Sequence, residues 1–294
     1  MSPGLDPFLP ALTLPPWLCL NCGFWQRRSA PPPDCPLCLD ARHVPPPTGF
    51  ELIGAEQAEQ RFPTRWAELE PGVWRFWNQP APGIGPSGYV LQTTAGNVAF
   101  DGPAVWDARA LDQLRSLGGL AVIAGSHPHA YGAIHALQDA FPSAELALHP
   151  ADLRWSAAVR VTWPWDEELE VLPGITLWLT GGHFAGHTVL HDSERALLLC
   201  GDALKFELDS HDPRRALAVS AHKAFVRGIP LTRGELRRYR AVFAQLDFSR
   251  TWSPFEYPSN VGRDEALALI DRFLAGRPSA DPVDLADLVP ELQR

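Results

Sequence analysis

Four of the five cysteines in the 294-residue chain lie near its start, in a spacing typical of metal-binding knuckles. They form two C-x2-C pairs separated by twelve residues: Cys19, Cys22, Cys35 and Cys38. Each pair can hold one ion from a tight turn, and two pairs complete a tetrahedral thiolate site. The spacer is slightly shorter than in the usual zinc ribbon but long enough for a short hairpin. We therefore expect a small four-cysteine metal unit.

The chemistry of these cysteines leaves alternatives open. Zinc is the default ion, but CLNCGF and DCPLC also resemble rubredoxin knuckles that hold iron. Disulfides are disfavoured, because residues 1–12 have no basic region ahead of an apolar one and do not resemble a secretion signal. We therefore expect a cytoplasmic protein with reduced thiols. Cys200, within ALLLCGD, is expected to be a buried core thiol.

A second candidate site begins in the stretch GSHPHAYG, residues 125–132, which contains His127 and His129. Pro128 disfavours the helical conformation at the residue before it and fixes its own φ near an extended value. Residues two apart in an extended chain point to the same side, so both imidazoles can reach one ion. This geometry predicts a metal-binding loop directly after a buried strand.

Other side chains with metal-binding chemistry occur at the ends of predicted strands. His183 and His187 lie in GGHFAGH, Asp202 ends the strand of LLLCGD, and Asp101 ends that of NVAFD. We expect His187 to be a turn residue or a partner of a ligand rather than a ligand itself. The histidines His135, His191 and His222 are expected to be structural.

The order of these residues resembles that of the metallo-β-lactamase superfamily, over roughly residues 55–276. The fold implied is α+β: a four-layer αββα sandwich with metal sites along one edge of the sheets. In the family's H-x-H-x-D-H loop, His127 and His129 match the leading histidines. Tyr131 and Gly132 stand where the family has its aspartate and next histidine, so both of those ligands are absent.

The resemblance extends to the later motifs, again with departures. His183 matches the next metal-binding histidine, and Asp202 matches the carboxylate that bridges two metals. Asp101 matches an aspartate that supports the loop, while Phe255 stands where the last histidine is expected. The resemblance thus implies one retained metal site, for zinc or another divalent ion, and a second site reduced to Asp202. The chain looks like a branch in which a zinc ribbon precedes the domain.

The elements that must position these residues alternate along the chain. Strands are predicted at 72–77, 88–93, 96–102, 119–125, 143–149, 175–183, 186–192 and 195–202. Helical spacing is found at 107–118, 130–141, 231–246 and 263–276. We expect three segments: a zinc ribbon and linker over 1–48, a metallo-β-lactamase-like domain over 49–276, and a tail over 277–294.

Composition excludes some classes of function. The net charge of −9 argues against a nucleic-acid groove, and the basic cluster RGELRRYR at 233–240 is expected to be a solvated helix face. No apolar run approaches 18 residues, which argues against a membrane span. A small-molecule substrate or a protein partner therefore remains, and the oligomeric state is open.

Three functions are compatible with these residues. The first is a hydrolase of an ester, thioester or lactone with a mononuclear zinc site, in which bound water is acidified towards a pKa of about 7. Asp202 would act as a ligand or a base, and Tyr131 would either donate a hydrogen bond to an oxyanion or simply pack. The second is a non-catalytic binding module with a degenerate site, and the third is a redox protein with rubredoxin-like iron.

Overall fold

The structure is a computed structural model that describes residues 13–288. The prediction that the chain lacks a secretion signal concerns residues 1–12, and the last six residues of the predicted tail are 289–294, so both lie outside the described residues. The described chain divides into two compact units. The first comprises 13–124, 128–147 and 153–163, and the second comprises 125–127, 148–152 and 164–288. Within residues 13–288, no helix is both long and apolar enough to cross a membrane.

The first unit begins with a three-stranded sheet that holds the cysteine knuckles. Strands β1 (Pro16–Cys19), β2 (Trp25–Arg27) and β3 (Leu52–Gly54) are all antiparallel, in the order β2-β1-β3. The β3 strand lies beyond the linker predicted near residue 48, so the ribbon sheet is completed by the segment that follows it. Helix α1 (Ala55–Arg61) comes directly after β3.

The same unit contains a six-stranded mixed sheet whose strands follow chain order. The elements are β4 (Thr64–Glu70), β5 (Val73–Asn78), β6 (Gly88–Thr93), β7 (Gly96–Phe100), α2 (Ala108–Ser116), β8 (Val122–Ala124), α3 (Ile134–Ala140) and β9 (Glu145–Ala147). Strands β4 to β7 are antiparallel neighbours, whereas β8 and β9 join in parallel and need crossover helices. Helix α2 makes the first crossover, with the Asp107 side chain accepting from Ala110 N as its N-cap.

The second unit is built on a five-stranded sheet in which four antiparallel strands are joined by one parallel strand. A 3₁₀ helix (Pro150–Trp155) spans the boundary of the two chain segments at residue 152. The sheet comprises β10 (Glu168–Leu172), β11 (Ile175–Leu179), β12 (Thr188–Asp192), β13 (Leu197–Leu199) and, parallel to β13, β18 (Arg250–Trp252). Smaller sheets contain β14 (Lys205–Leu208), β15 (Ala216–Ser220) and β19 (Val283–Asp284), and the hairpin of β16 (His222–Ala224) and β17 (Ile229–Pro230). The helices are α4 (Arg233–Phe243), α5 (Arg263–Ala275) and α6 (Leu285–Leu288).

Helix α4 shows how the sequence pattern sets its packing. Thr232 and Glu235 form a capping box at its N-terminus. Its buried positions are Leu236, Tyr239, Val242 and Phe243, and they contribute to the apolar core of the second unit. Its four arginines are exposed, in agreement with the predicted solvated basic face, and two of them also contact helix residues further along the chain: Arg233 donates to Leu274 O and Arg240 donates to Asp271 Oδ1. Cys200 is fully buried in the same core, also as predicted.

Helix α3 begins four residues later than the sequence pattern predicts. Gly132 has a φ of +52°, which a residue with a side chain rarely adopts. A Cβ at this position would lie 2.2 Å from the carbonyl oxygen of Gly102 and 2.3 Å from that of Pro103. The chain therefore makes a tight turn at Gly132 before the helix starts at Ile134.

His135, on α3, gives the first unit an acid-sensitive contact. Burial, reinforced by Arg27, lowers the pKa of His135 to about 3, and the imidazole packs 4.7 Å from the Trp25 ring. Because this histidine is neutral in the folded state, its contribution to the stability of the fold is fully present at pH values above 6.5, the pKa of histidine in the unfolded chain. This contribution is lost as the pH falls from there towards 3.

We predict that the His135→Leu variant loses part of the acid sensitivity of the wild type. Between pH 6 and 4, the free energy of unfolding should fall less steeply with decreasing pH in the variant than in the wild type, by up to about 1.4 kcal/mol per pH unit. The reason is that the variant has no imidazole at this position to take up a proton on unfolding. Urea unfolding at several pH values measures this slope. The exposed His211→Leu variant is the control, and equal slopes for all three proteins would contradict the prediction.

Candidate metal centres

The four cysteines converge as the sequence predicts. Their sulfur atoms all lie within 4.8 Å of one another, with Sγ–Sγ distances of 3.8 Å between Cys19 and Cys38 and 3.6 Å between Cys22 and Cys35. A disulfide needs a separation of about 2.05 Å, and all four cysteines are free. Tetrahedral zinc–sulfur bonds of about 2.3 Å place the sulfurs about 3.8 Å apart. These residues therefore fit a tetrahedral metal ion.

Short backbone turns present the sulfur atoms to one another. Gly23 N donates to Cys19 O at 2.8 Å, and Leu39 N donates to Cys35 O at 3.1 Å. The side-chain amide of Asn21 donates to Cys38 Sγ at 3.3 Å, as suits a sulfur that carries negative charge. The four thiols differ in acidity: hydrogen bonds from the neighbouring cysteines lower the pKa of Cys19, whereas burial raises the pKa of Cys22. A bound cation would neutralise the charge gathered in this cluster.

The ribbon packs against the rest of the first unit through aromatic and charged side chains. Trp25 Nε1 donates to Ala104 O at 2.6 Å, and Arg27 donates to Asp139 at 2.9 Å. His43, five residues after the last cysteine, meets the His129 ring edge to face at a centroid distance of 4.5 Å. The ribbon is therefore in direct contact with the loop that carries a predicted metal-binding histidine.

The structure also brings together the three histidines that the resemblance implies as ligands. The ligand atoms of His127, His129 and His183 lie within 4.8 Å of one another, and all three side chains are buried. Imidazole nitrogens suit zinc and several other divalent ions. Asp202 lies beside this group, because its Oδ2 is 3.6 Å from Nε2 of both His127 and His183.

The orientation of His127 depends on the residue before it. Ser126 Oγ lies 2.9 Å from His127 Nδ1, so that Nε2 is the ring nitrogen facing Asp202. The Ser126 carbonyl accepts from Thr188 N at 2.9 Å, which ties the loop to β12. Gly201 makes this approach possible, since a Cβ there would lie 2.5 Å from the Ser126 Cβ.

His183 is presented by a glycine turn at the end of β11. Gly182 has a φ of +80°, and a Cβ at this position would lie 2.8 Å from the hydroxyl of Tyr239. That hydroxyl donates to Gly181 O at 3.2 Å, and His183 N donates to the same oxygen at 3.1 Å. Helix α4, which carries Tyr239, thereby fixes the turn.

Asp202 is placed by two parallel strands that end at the same edge of their sheet. Cys200 N, just after β13, donates to Trp252 O on β18 at 2.8 Å. Lys205 Nζ lies 2.8 Å from Asp202 Oδ1, and both side chains are buried. Burial alone would raise the pKa of Asp202, but Lys205 and the nearby histidines hold it well below its usual range. The carboxylate is therefore ionised at neutral pH.

His187 holds Asp202 in place and has both ring nitrogens engaged. Asp202 N donates to its Nε2 at 3.0 Å, so Nδ1 carries the proton and donates to Thr180 Oγ1 at 2.7 Å. Burial lowers the pKa of His187 to about 3, which keeps the imidazole neutral. The geometry matches the prediction that His187 is a partner of a ligand rather than a ligand.

The remaining predicted residues lie around this cluster with different outcomes. Tyr131 is buried two residues after His129, and its catalytic role stays a prediction. The turn at Gly132 has no space for a side chain, so no histidine can replace it. Phe255 faces Lys205 Nζ, with its ring centroid 3.8 Å away. Asp101, buried at the end of β7, has a φ of +59°.

Two residues near the histidines were missed by sequence reasoning. Lys205 follows Asp202 by three positions, and it is one of only two lysines among 25 basic residues. That scarcity is a signal that could have drawn attention to it. His43 carries no local signal, because its contact with His129 joins positions 86 residues apart.

Comparison with known proteins supports the fold. No protein-family model matches the chain. A curated protein of Bacillus subtilis (strain 168), the uncharacterized protein YmaE, is 28% identical over 268 residues, which cover 86% of this chain and 93% of that protein.

Three solved structures are similar to this chain with a TM-score of 0.50 each. They are the metallo-β-lactamases TMB-1 (12% identity; 71% of this chain, 97% of that one), FIM-1 from Pseudomonas aeruginosa in its mono-zinc form (12%; 72% and 95%) and DIM-1 (14%; 72% and 99%). At such identities the likeness concerns the fold alone. The chain thus has the α+β metallo-β-lactamase fold, preceded by a four-cysteine cluster.

We predict that the Cys35→Ala variant purifies with one metal ion per chain fewer than the wild type. Three thiolates cannot complete the tetrahedral site, and a small unit folded around a metal loses stability with it. Elemental analysis and thermal unfolding measure both effects. The Cys200→Ala variant, which removes the buried core thiol instead, should retain the full metal content, and equal metal contents in the two variants would refute this assignment.

We also predict that the His187→Phe variant still binds metal at the histidines but is less stable. Losing the acceptor for the buried Asp202 N–H should lower the free energy of unfolding by about 1–3 kcal/mol. Metal content at saturation and urea unfolding separate the two effects. If His187 were itself a ligand, the variant would lose the histidine-bound ion at saturation.

Proposed function

We propose that this chain is a metal-dependent hydrolase with a single zinc ion bound by His127, His129 and His183. The observation that carries this proposal is the convergence of three buried imidazoles whose ligand atoms lie within 4.8 Å of one another. The mono-zinc form of FIM-1, which has the same fold, supports the chemical plausibility of one ion. A second zinc ion, in the four-cysteine cluster, is proposed to be structural.

The histidine-bound ion would supply Lewis acidity to a water molecule and to the oxygen of a substrate carbonyl. The chain's own part is to hold the donors in place. Ser126 fixes one ring nitrogen of His127, and the turn at Gly182 fixes His183. Donors held rigidly before substrate arrives need little rearrangement during the reaction.

Asp202 is proposed to orient groups at the site rather than to accept a proton. Its pKa is well below the usual range, because Lys205 and the histidines stabilise its charge against the effect of burial. A carboxylate with so low a pKa is a weak base at neutral pH. It can instead accept hydrogen bonds from water or substrate. Tyr131 remains a proposed donor to an oxyanion.

The proposed substrate is a small ester, thioester or lactone with an apolar part. The hairpin of β16 and β17 carries Phe225 and Val226, which are 61% and 56% exposed. The Phe225 ring centroid lies 5.3 Å from Lys205 Nζ, so this apolar hairpin tip is close to Asp202. Large exposed apolar side chains next to a reactive group favour contact with an apolar part of a ligand.

Two other functions are distinguished by metal chemistry. A non-catalytic binding module is favoured by Gly132 and Phe255, which stand where the resembling family has histidines. Such a module would bind metal without hydrolysing a substrate. A redox protein would hold iron between its cysteines and absorb visible light, which zinc does not. We propose zinc and a cytoplasmic location, where the thiols remain reduced.

We predict that the zinc-loaded chain hydrolyses at least one member of a panel of esters, thioesters and lactones, and that His127→Ala lowers kcat/KM by at least about a hundredfold. The loss follows from removing one of three metal ligands. The exposed His211→Ala variant should match the wild type. The proposal fails if His127→Ala and the wild type hydrolyse the panel equally well.

A further inference from the structure

Lys205 is a charged side chain whose part in the proposed reaction so far is only to stabilise the charge of Asp202. It is 7% exposed, and its Nζ lies 2.8 Å from Asp202 Oδ1. Removing an ammonium group from water is costly unless it is paired. A buried lysine directly beside a cluster of metal-binding histidines therefore requires a specific explanation.

The two oxygens of Asp202 face different groups. Oδ2 is 3.6 Å from Nε2 of His127 and 3.6 Å from Nε2 of His183. Oδ1 faces the ammonium of Lys205. One carboxylate thus faces two different groups. One oxygen is near the histidine nitrogens that would hold a metal ion, and the other is paired with the ammonium of Lys205.

The two aromatic rings that face Lys205 suit an ammonium group better than a metal ion. The centroids of the Phe255 and Phe225 rings lie 3.8 Å and 5.3 Å from Nζ. Aromatic faces attract an ammonium electrostatically. They carry no lone pair for a divalent ion, which needs several oxygen, nitrogen or sulfur donors.

From this arrangement we infer that Lys205 acts as the second cation of the site. Its ammonium pairs with Asp202 Oδ1, so this oxygen already faces a positive charge and is not open to a second metal ion. The histidines therefore take a single ion, and repulsion between that ion and the ammonium limits how tightly it is held. This inference rests on the proposed function only in requiring that the histidines bind a metal.

The test is a metal titration of the full chain at pH 8, with the four-cysteine site already loaded. Zinc affinity is measured by competition with a chelator, and cobalt spectra report the histidine-bound ion. The Lys205→Met variant removes the charge and keeps the length of the side chain. It should bind the histidine-site ion about tenfold more tightly or better, because the repulsion is gone.

Two further variants separate charge from packing. Lys205→Arg keeps the positive charge and should keep an affinity close to that of the wild type. Lys223→Met changes the other lysine of the chain, which pairs with Glu235 at 3.0 Å, and should leave the affinity unchanged. Circular dichroism and thermal unfolding of each variant show that the unit carrying the substitution is folded.

The outcomes are distinct. A wild-type chain that takes two ions at the histidines overturns the inference without any variant. If the wild type binds one ion but Lys205→Met binds it equally or less tightly, the inference is wrong while the proposed function stands. If the wild type binds no ion at the histidines, both are wrong.

Discussion

The buried ion pair of Asp202 and Lys205 is the interaction that sets the charge next to the histidine site. A carboxylate next to imidazoles in a low-dielectric setting would tend to take up a proton, because burial favours its neutral form. The ammonium at 2.8 Å reverses this preference and keeps the charge in place. Breaking such a pair by removing one partner leaves an uncompensated buried charge, which is strongly unfavourable.

The backbone around this pair is arranged so that its members cannot drift apart. Neighbouring parallel strands β13 and β18 end at one edge, and the segments that follow them carry Asp202 and Phe255. His187 accepts the Asp202 backbone N–H, and the lack of a side chain at Gly201 lets Ser126 approach. These contacts fix Asp202 and Ser126, which lie next to the proposed metal-binding histidines, and therefore help to orient the donor atoms. A site with this degree of preorganisation loses little entropy on binding.

The four-cysteine unit is small and gains much of its stability from outside itself. A sheet of three short strands has little apolar area to bury, so metal ligation and packing must supply the rest. Trp25 and Arg27 provide that packing within the first unit, while His43 contacts His129. The ribbon therefore belongs to the same unit as His129, although its cysteines form a separate motif in the sequence.

The sequence by itself determined the features that depend on local covalent spacing. These are the two cysteine knuckles and the approximate positions of the helices and of most strands. The prediction of an extended His127–Pro128–His129 segment is wrong, because His127 lies in a bend and residues 128–130 form a turn. The ordered motifs of the sequence also singled out His183 and Asp202, which lie beside His127 in the structure. It could not reveal that Lys205 pairs with Asp202 under the Phe255 ring, that His187 accepts a backbone N–H, or that α3 starts late. Those features join chain segments that are distant in sequence or depend on close backbone approach, and only the folded chain brings such groups within range of hydrogen bonding and charge pairing.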